Sequence, residues 1–144
     1  MKIYFCASYA RRKEMKTYAK ELEKATRHIV MSSWVWDHDG RDRFDDGTNC
    51  LLSFAAQAEV AERDWQDISE CDVFILFAKP AHLGYQRGNR HAEFGMAWAL
   101  RQWTEPERPR IILIGEPELI FHHLPGVDRY ATWEECKEAL EVMT

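Results

Sequence analysis

The sequence predicts an α/β fold, a doubly wound parallel sheet with helices on both faces. Two observations carry that expectation. Short apolar segments alternate along the chain with segments whose apolar residues recur every three or four positions. Several of the short segments are apolar without interruption, as strands are when both faces of a sheet are covered. No repeat, low-complexity tract or linker divides the 144 residues, so 1–144 reads as one domain.

The elements follow in order. Residues 2–7, KIYFCA, are β-branched and aromatic and read as a buried strand. SYARRK follows as a loop. Residues 13–27 place Met15, Tyr18, Ala19, Leu22 and Ala25 on one helical face. HIVMSSWVW, 28–36, reads as a second strand, and the Gly- and Asp-rich segment 37–50 as a loop. The alanine and valine spacing over 52–70 predicts a helix that ends near Cys71. DVFILFAKP, 72–80, is the strongest strand signal, an apolar run stopped by Pro80. A glycine-containing loop leads to a helix over 91–103. RPRIILIGEP, 108–117, is another buried strand, and 118–130 a loop with a short helical turn. A last helix spans 132–143, with Thr132 as its cap and Glu135 three residues on, the pattern of a capping box.

In such sheets ligands bind beyond the carboxyl ends of the strands, at the point where the winding reverses. Functional residues are therefore expected in 7–12, 34–40, 79–91 and 115–123. Composition narrows what they do. Lysine and arginine number 19 against 24 aspartate and glutamate, a net charge of −5, which argues against a protein that coats nucleic acid. No run of about 18 apolar residues offers a membrane span. The apolar stretch at the start is too short for a secretory signal, so a cytoplasmic location is expected. Cys6, Cys50, Cys71 and Cys136 form no CxxC pair and read as reduced, mostly buried thiols.

Four groups of residues carry chemistry. Ser8, Tyr9, Arg11 and Arg12 lie at a helix start, where backbone N–H groups suit an anion, although neither GxGxxG nor GxxxxGK[ST] is present. Glu93 stands about one turn into the third long helix, in GYQRGNRHAEFG. A carboxylate there is expected to be held ionised by the helix dipole, by about 0.3–1 kcal/mol. It can then act as a covalent nucleophile, or simply stabilise its helix as a solvated glutamate. Asp64 and Asp67, three apart, point to similar sides of one helix, while Asp72 opens the next strand and reads as capping or orienting the turn. A carboxylate near another often has a raised pKa and serves as an acid, but an exposed acidic face has the same pattern. Trp34, Trp36, Tyr9 and Trp65 can stack on a flat ring or fill the core. Trp98 and Trp103 read as packing or subunit contacts. His122 and His123 are adjacent and face apart, and with no HExxH no metal site is expected.

Taken together these residues resemble the nucleoside 2-deoxyribosyltransferase superfamily, over nearly the whole chain. KIYFCAS resembles its first strand, DWQDISECDVFILF its D-x-x-x-I-x-x-x-D segment and apolar strand, and RGNRHAEFGMAWAL its glycine loop and E-x-G helix start. IILIGEPELIFHHLPGVDRYATWEE resembles the tail of a bacterial and phage branch, related to 2′-deoxynucleoside 5′-monophosphate N-hydrolases. The order and spacing of the motifs are more specific than any one of them. The resemblance implies roles. Glu93 matches the nucleophile that attacks the anomeric carbon, Tyr4 the tyrosine that orients it, and Asp64 the aspartate that helps protonate the leaving base. Asp72 matches a carboxylate that supports the site. Where the branch reads G-G-R before the glutamate, this chain has Gly88, Asn89 and Arg90. The related hydrolases place serine, backbone N–H groups and arginine around a 5′-phosphate, a set that Ser8, Arg11, Arg12 and Arg90 can supply here; if the substrate has no phosphate, these arginines pair with surface carboxylates.

The expectation is thus a Rossmann-like (flavodoxin-like) α/β sheet of about five strands. It cleaves or transfers the N-glycosidic bond of a 2′-deoxynucleoside or its 5′-monophosphate through a covalent deoxyribosyl-enzyme. Glu93, Asp64 and Tyr4 carry catalysis. Ser8, Tyr9, Arg11, Trp34, Asp72, Gly88, Asn89 and Arg90 bind the substrate. No cofactor, membrane or polymeric nucleic acid is expected, and the resemblance implies a homodimer or larger. A non-catalytic nucleotide-binding module on the same fold is the alternative; hydrolysis of a ribosyl cofactor such as NAD is a weaker one.

Overall fold

A computed structural model of the chain describes residues 1–36, 53–79 and 88–143. Five parallel strands form one sheet in the order β2-β1-β3-β4-β5. They are β1 (Lys2–Cys6), β2 (Ile29–Val30), β3 (Val73–Phe77), β4 (Arg110–Ile114) and β5 (Val127–Tyr130). The helices are α1 (Arg12–Ala25), α2 (Ser33–Trp36), α3 (Phe54–Glu70), α4 (Asn89–Trp103) and α5 (Trp133–Glu141). The expected doubly wound α/β architecture is what forms.

Pleating decides which side chains meet which helices. Successive residues of a strand point to opposite faces. The register pairs Tyr4 with Phe74, Phe5 with Ile75 and Cys6 with Leu76. Phe5 and Phe77 therefore share one face. They pack there against Trp133 of α5, at centroid distances of 5.5 and 5.9 Å, and Phe77 meets Tyr18 of α1 at 5.9 Å. Tyr4, Cys6, Phe74 and Leu76 occupy the other face, toward α4. All five residues of β3 are buried, as a central strand covered on both sides requires.

Three segments differ from the sequence expectation. The strand expected over 28–36 is two residues long and then turns into α2. Side chains reward that turn: Ser32 Oγ accepts from Phe5 N at 2.6 Å, and the indole N–H groups of Trp34 and Trp36 donate to Phe5 O at 2.8 Å and Val30 O at 2.6 Å. Backbone groups that a longer strand would have paired are satisfied by side chains instead. The second difference is β5, which lies within the expected loop 118–130 and pairs with β4 from Val127 to Tyr130. It is an edge strand with no fully buried residue, so it lacks an apolar signature. The third is a single 3-10 turn, Tyr9–Arg11, inside the first loop. The cap expected for the last helix forms, with Thr132 accepting from Glu135 N at 3.3 Å. The Glu135 carboxylate reaches Ala131 N, at 2.9 Å, one residue before the cap itself. The segment 37–50, Cys50 included, lies outside the described residues. Cys6, Cys71 and Cys136 are buried free thiols. Among the described residues no helix is long and apolar enough to cross a membrane.

Candidate active site

The chain leaves β1 to one side for β2 and returns on the other side as β3, so the winding reverses between β1 and β3. Tyr4 and Cys6 lie on β1 at that point, two residues apart and therefore on the same face. The first turns of α4 cover them. The Tyr4 hydroxyl donates to Glu93 Oε2 at 3.2 Å, and the Cys6 thiol donates to the Arg90 carbonyl at 3.4 Å. The Cys6 thiol also lies near enough to the Glu93 carboxylate to favour its charged form. Asp64, on α3, completes the group, close enough for its charge to act on Tyr4, Cys6 and Glu93. The sheet thus brings together all the residues expected to carry catalysis, and adds Cys6, which the sequence reading left as packing.

The electrostatics differ from expectation. Burial pushes Glu93 up to about 7, the Asp64 charge adds to that, and the hydrogen bonds from Cys6 and Tyr4 oppose it. The helix dipole does not hold this carboxylate ionised. Glu93 is the fifth residue of a helix that begins at Asn89, and the first turn of that helix has no acidic residue. The dipole's influence fades within the first turn and is worth less than one pKa unit, so desolvation wins. Burial and the Glu93 charge also raise the Tyr4 hydroxyl, which stays protonated and remains a donor.

A second cluster fastens the start of α4. Arg90 is buried, and its guanidinium contacts Glu118 Oε1 at 2.5 Å. The same carboxylate accepts from Lys79 N at 3.0 Å, just after β3. Glu118 N donates to His122 Nδ1 at 3.1 Å, which leaves Nε2 of that neutral ring to carry the proton. The His122 ring packs on His91 and Phe94 of α4 at 5.3 and 5.0 Å. Glu118 therefore ties the loop after β3, the start of α4 and the loop after β4 at one point. Gly115, at φ +93, gives the chain its turn out of β4.

The other expected binding residues divide. Ser8 precedes the 3-10 turn and Tyr9 opens it, both beyond the end of β1, with the Tyr9 ring 6.4 Å from Trp34. Trp34 is only 5% exposed and packs in the core. Arg11 forks onto Glu14 at 2.7 and 2.9 Å, donates to Ala78 O at 3.0 Å and lies over the Phe77 ring. Arg12 donates to Trp34 O at 3.0 Å. Gly88 and Asn89 are exposed at the start of α4, and a side chain at Gly88 would meet no atom of the described residues within 4 Å. Asp72 stands apart from all of these. It precedes β3, at the amino end of the sheet, where it accepts from Lys2 N at 2.8 Å and faces Arg108 at 3.6 Å. Asp67, one turn from Asp64, accepts from Ser33 N at 2.7 Å.

A cleft of about 380 Å³ opens on the opposite face, between α1, α5 and the ends of β3 and β4. Tyr18, Phe77 and Trp133 line it, and neither Tyr4 nor Glu93 does. Among the described residues no cluster of histidine, cysteine or acidic groups could hold a metal ion.

No family model and no curated protein matches the chain. Among solved structures it is similar to the CMP N-glycosidase of Clostridium botulinum, with a TM-score of 0.56 and 18% sequence identity over 99% of each chain. The resemblance read from the sequence is thus met end to end at the level of backbone architecture, and the chain has the Rossmann-like fold of that N-glycosidase.

Proposed function

We propose that this protein cleaves or transfers the N-glycosidic bond of a 2′-deoxynucleoside or its 5′-monophosphate, through a covalent intermediate on Glu93. The observation that carries the reading is the Tyr4–Glu93 hydrogen bond at the point where the sheet reverses. The fold shared with a nucleotide N-glycosidase supports it. A Glu93 carboxylate oxygen attacks C1′ as the bond to the base nitrogen breaks. The bonding electron pair leaves with the base, which takes a proton from Asp64 in its acid form. The transition state is oxocarbenium-like, and two carboxylates divide its demands as they do in glycosidases. Water or a second base then attacks C1′, gives its proton to the Asp64 carboxylate and releases Glu93. A pKa of about 7 keeps a working fraction of Glu93 ionised at neutral pH.

The neighbour is named for CMP, a ribonucleotide, so both sugars belong in the test. The protein is incubated with nucleosides and 5′-monophosphates of ribose and 2′-deoxyribose, with and without an acceptor base, and products are separated by chromatography. Base release that is lost in Glu93→Ala supports the proposal. Tight ligand binding without base release from any of the set overturns it in favour of a binding module.

The proposal includes a homodimer or larger. Phe54 and Trp65 of α3 and Met96 and Trp103 of α4 are exposed, more apolar surface than a solvated helix pair needs. Sedimentation velocity tests this, and a monomer at working concentration removes it.

A further inference from the structure

Cys6 is fully buried, and its thiol sits where β1 meets the first turn of α4, near the Glu93 carboxylate. A thiol has one proton to donate. The Arg90 carbonyl accepts it at 3.4 Å, and the Glu93 carboxylate lies near enough to compete for it. Tyr4 supplies the other donor to that carboxylate from two residues earlier on the same face. Tyr4 is the middle residue of β1 and Cys6 its last, and both are paired in register with β3, so neither moves independently of the sheet.

We infer that Cys6 is a positioning residue for Glu93: its S–H donates to the carboxylate while that group is charged and turns to the Arg90 carbonyl when the charge is lost. The inference rests on the function proposed above for its role in turnover, but not for its effect on Glu93. A glutamate that becomes an ester changes from a strong acceptor to a weak one. A fixed N–H donor would then be left poorly satisfied. A thiol rotates about one bond and finds the carbonyl of the same helix turn instead. The pair Tyr4 and Cys6 thus holds the carboxylate from two directions in the ionised state, and the thiol proton has an acceptor in both states.

The charged and titratable groups around Glu93 are Tyr4 and Cys6 on β1, Asp64 on α3 and Arg90 on α4, whose charge acts on the thiol. Burial and the Asp64 charge raise Glu93, and the Cys6 and Tyr4 hydrogen bonds lower it. Removing the thiol therefore raises the midpoint further. The test is ¹³C NMR of side-chain-labelled glutamate, with the Glu93 signal assigned by its loss in Glu93→Gln. In Cys6→Ala the midpoint should rise by about half a pH unit or more, as expected for losing a weak donor to a charged group. Cys6→Ser should return it to near the wild-type value, because a hydroxyl donates in the same place. An unchanged midpoint in Cys6→Ala, or an equal rise in Cys6→Ser, overturns the inference.

A second measurement needs no folded Cys6→Ala protein. The infrared S–H stretch assigned to Cys6 should shift with the Glu93 midpoint in the wild type and lose that shift in Glu93→Gln. A band that is indifferent to pH in the wild type overturns the inference. Both readouts stand without turnover. If the wild type releases no base, the proposed function fails while the titration still decides Cys6. If it does, Cys6→Ala should lower kcat with little change in KM.

Discussion

Replacing Tyr4 by phenylalanine removes a donor from Glu93 and leaves the ring and its stack on Phe74, at 5.6 Å, in place. A hydrogen bond to a charged group contributes about 1.5–3 kcal/mol. At 3.2 Å this one is longer than the usual 2.7–2.8 Å for O–H···O, so the lower end applies. Losing about 1.5 kcal/mol from the ionised form alone raises the Glu93 pKa by about one unit. The rising limb of kcat/KM, which reports the free enzyme, should therefore move from about 7 to about 8. At pH 7 the ionised fraction falls from about a half to about a tenth, a fivefold loss from ionisation alone. At pH 9 both proteins are almost fully ionised, and that part of the loss disappears. The assay is initial rates of base release across this range. A ratio of wild type to Tyr4→Phe that is the same at pH 7 and pH 9 would refute the coupling. A limb that falls with pH in the wild type would refute the nucleophile role itself and make Glu93 the acid.

Other consequences are separable. The folded pKa of Glu93 is raised from 4.5 to about 7, so the folded state binds this proton more tightly than the unfolded chain. Its stability contribution is complete below about pH 4.5 and is lost as pH rises through about 7, a change of roughly 3 kcal/mol. Glu93→Gln should thus melt higher than wild type at pH 8 and match it near pH 4; equal melting temperatures at pH 8 would contradict the burial of this charge. Glu118→Ala should cost about 3 kcal/mol in denaturant unfolding, because it removes the Glu118 carboxylate from the buried Arg90 guanidinium. A cost below about 1 kcal/mol would mean that the ion pair does not hold α4. Asp72→Asn should change stability by less than about 1 kcal/mol, since its Arg108 pair is exposed. It should leave kcat/KM within about twofold, and a larger loss would contradict its place at the far end of the sheet.

The legible parts of the fold were those with strong periodicity. β3 and β4 are apolar runs, α1 and α5 carry clear apolar stripes, and their positions were predicted to within a few residues. β5 escaped because an edge strand half in solvent has no such signature. The end of β2 escaped because Trp34 and Trp36 read as strand residues, yet their indole N–H groups bond the backbone that a longer strand would have used. At the site, resemblance singled out Tyr4, Asp64 and Glu93, which the structure brings together. Cys6 was legible in principle. It lies two residues after Tyr4 in a strand, so any residue that faces Tyr4's partner is within its reach. Asp72 was placed in the site by the resemblance, whereas its position at the opening of a strand pointed to orienting a turn, and there it accepts from Lys2 N. Spacing does not record that the helix between them ends before the strand begins, which puts Asp72 at the amino edge.

The arrangement around Glu93 follows from a competition whose terms differ in size. A solvated carboxylate at a helix start would be ionised at neutral pH and well hydrated, hence a poor nucleophile. Burial removes the water and makes the charge reactive, but unopposed it would leave the group protonated. Two donors from β1 oppose it, and the result is a group balanced near pH 7. Asp64 pushes the other way, so the site keeps two carboxylates that resist being charged together. In the reaction proposed above, that mutual resistance suits a nucleophile and an acid, because ionising Glu93 favours the proton on its neighbour. The strained electrostatics cost stability, and the buried sheet with its covering helices offsets them. The same logic explains why Glu118 matters at a distance. A carboxylate held against its preference reacts only if the helix that carries it cannot drift, and the Arg90–Glu118 pair fastens that helix one turn before Glu93.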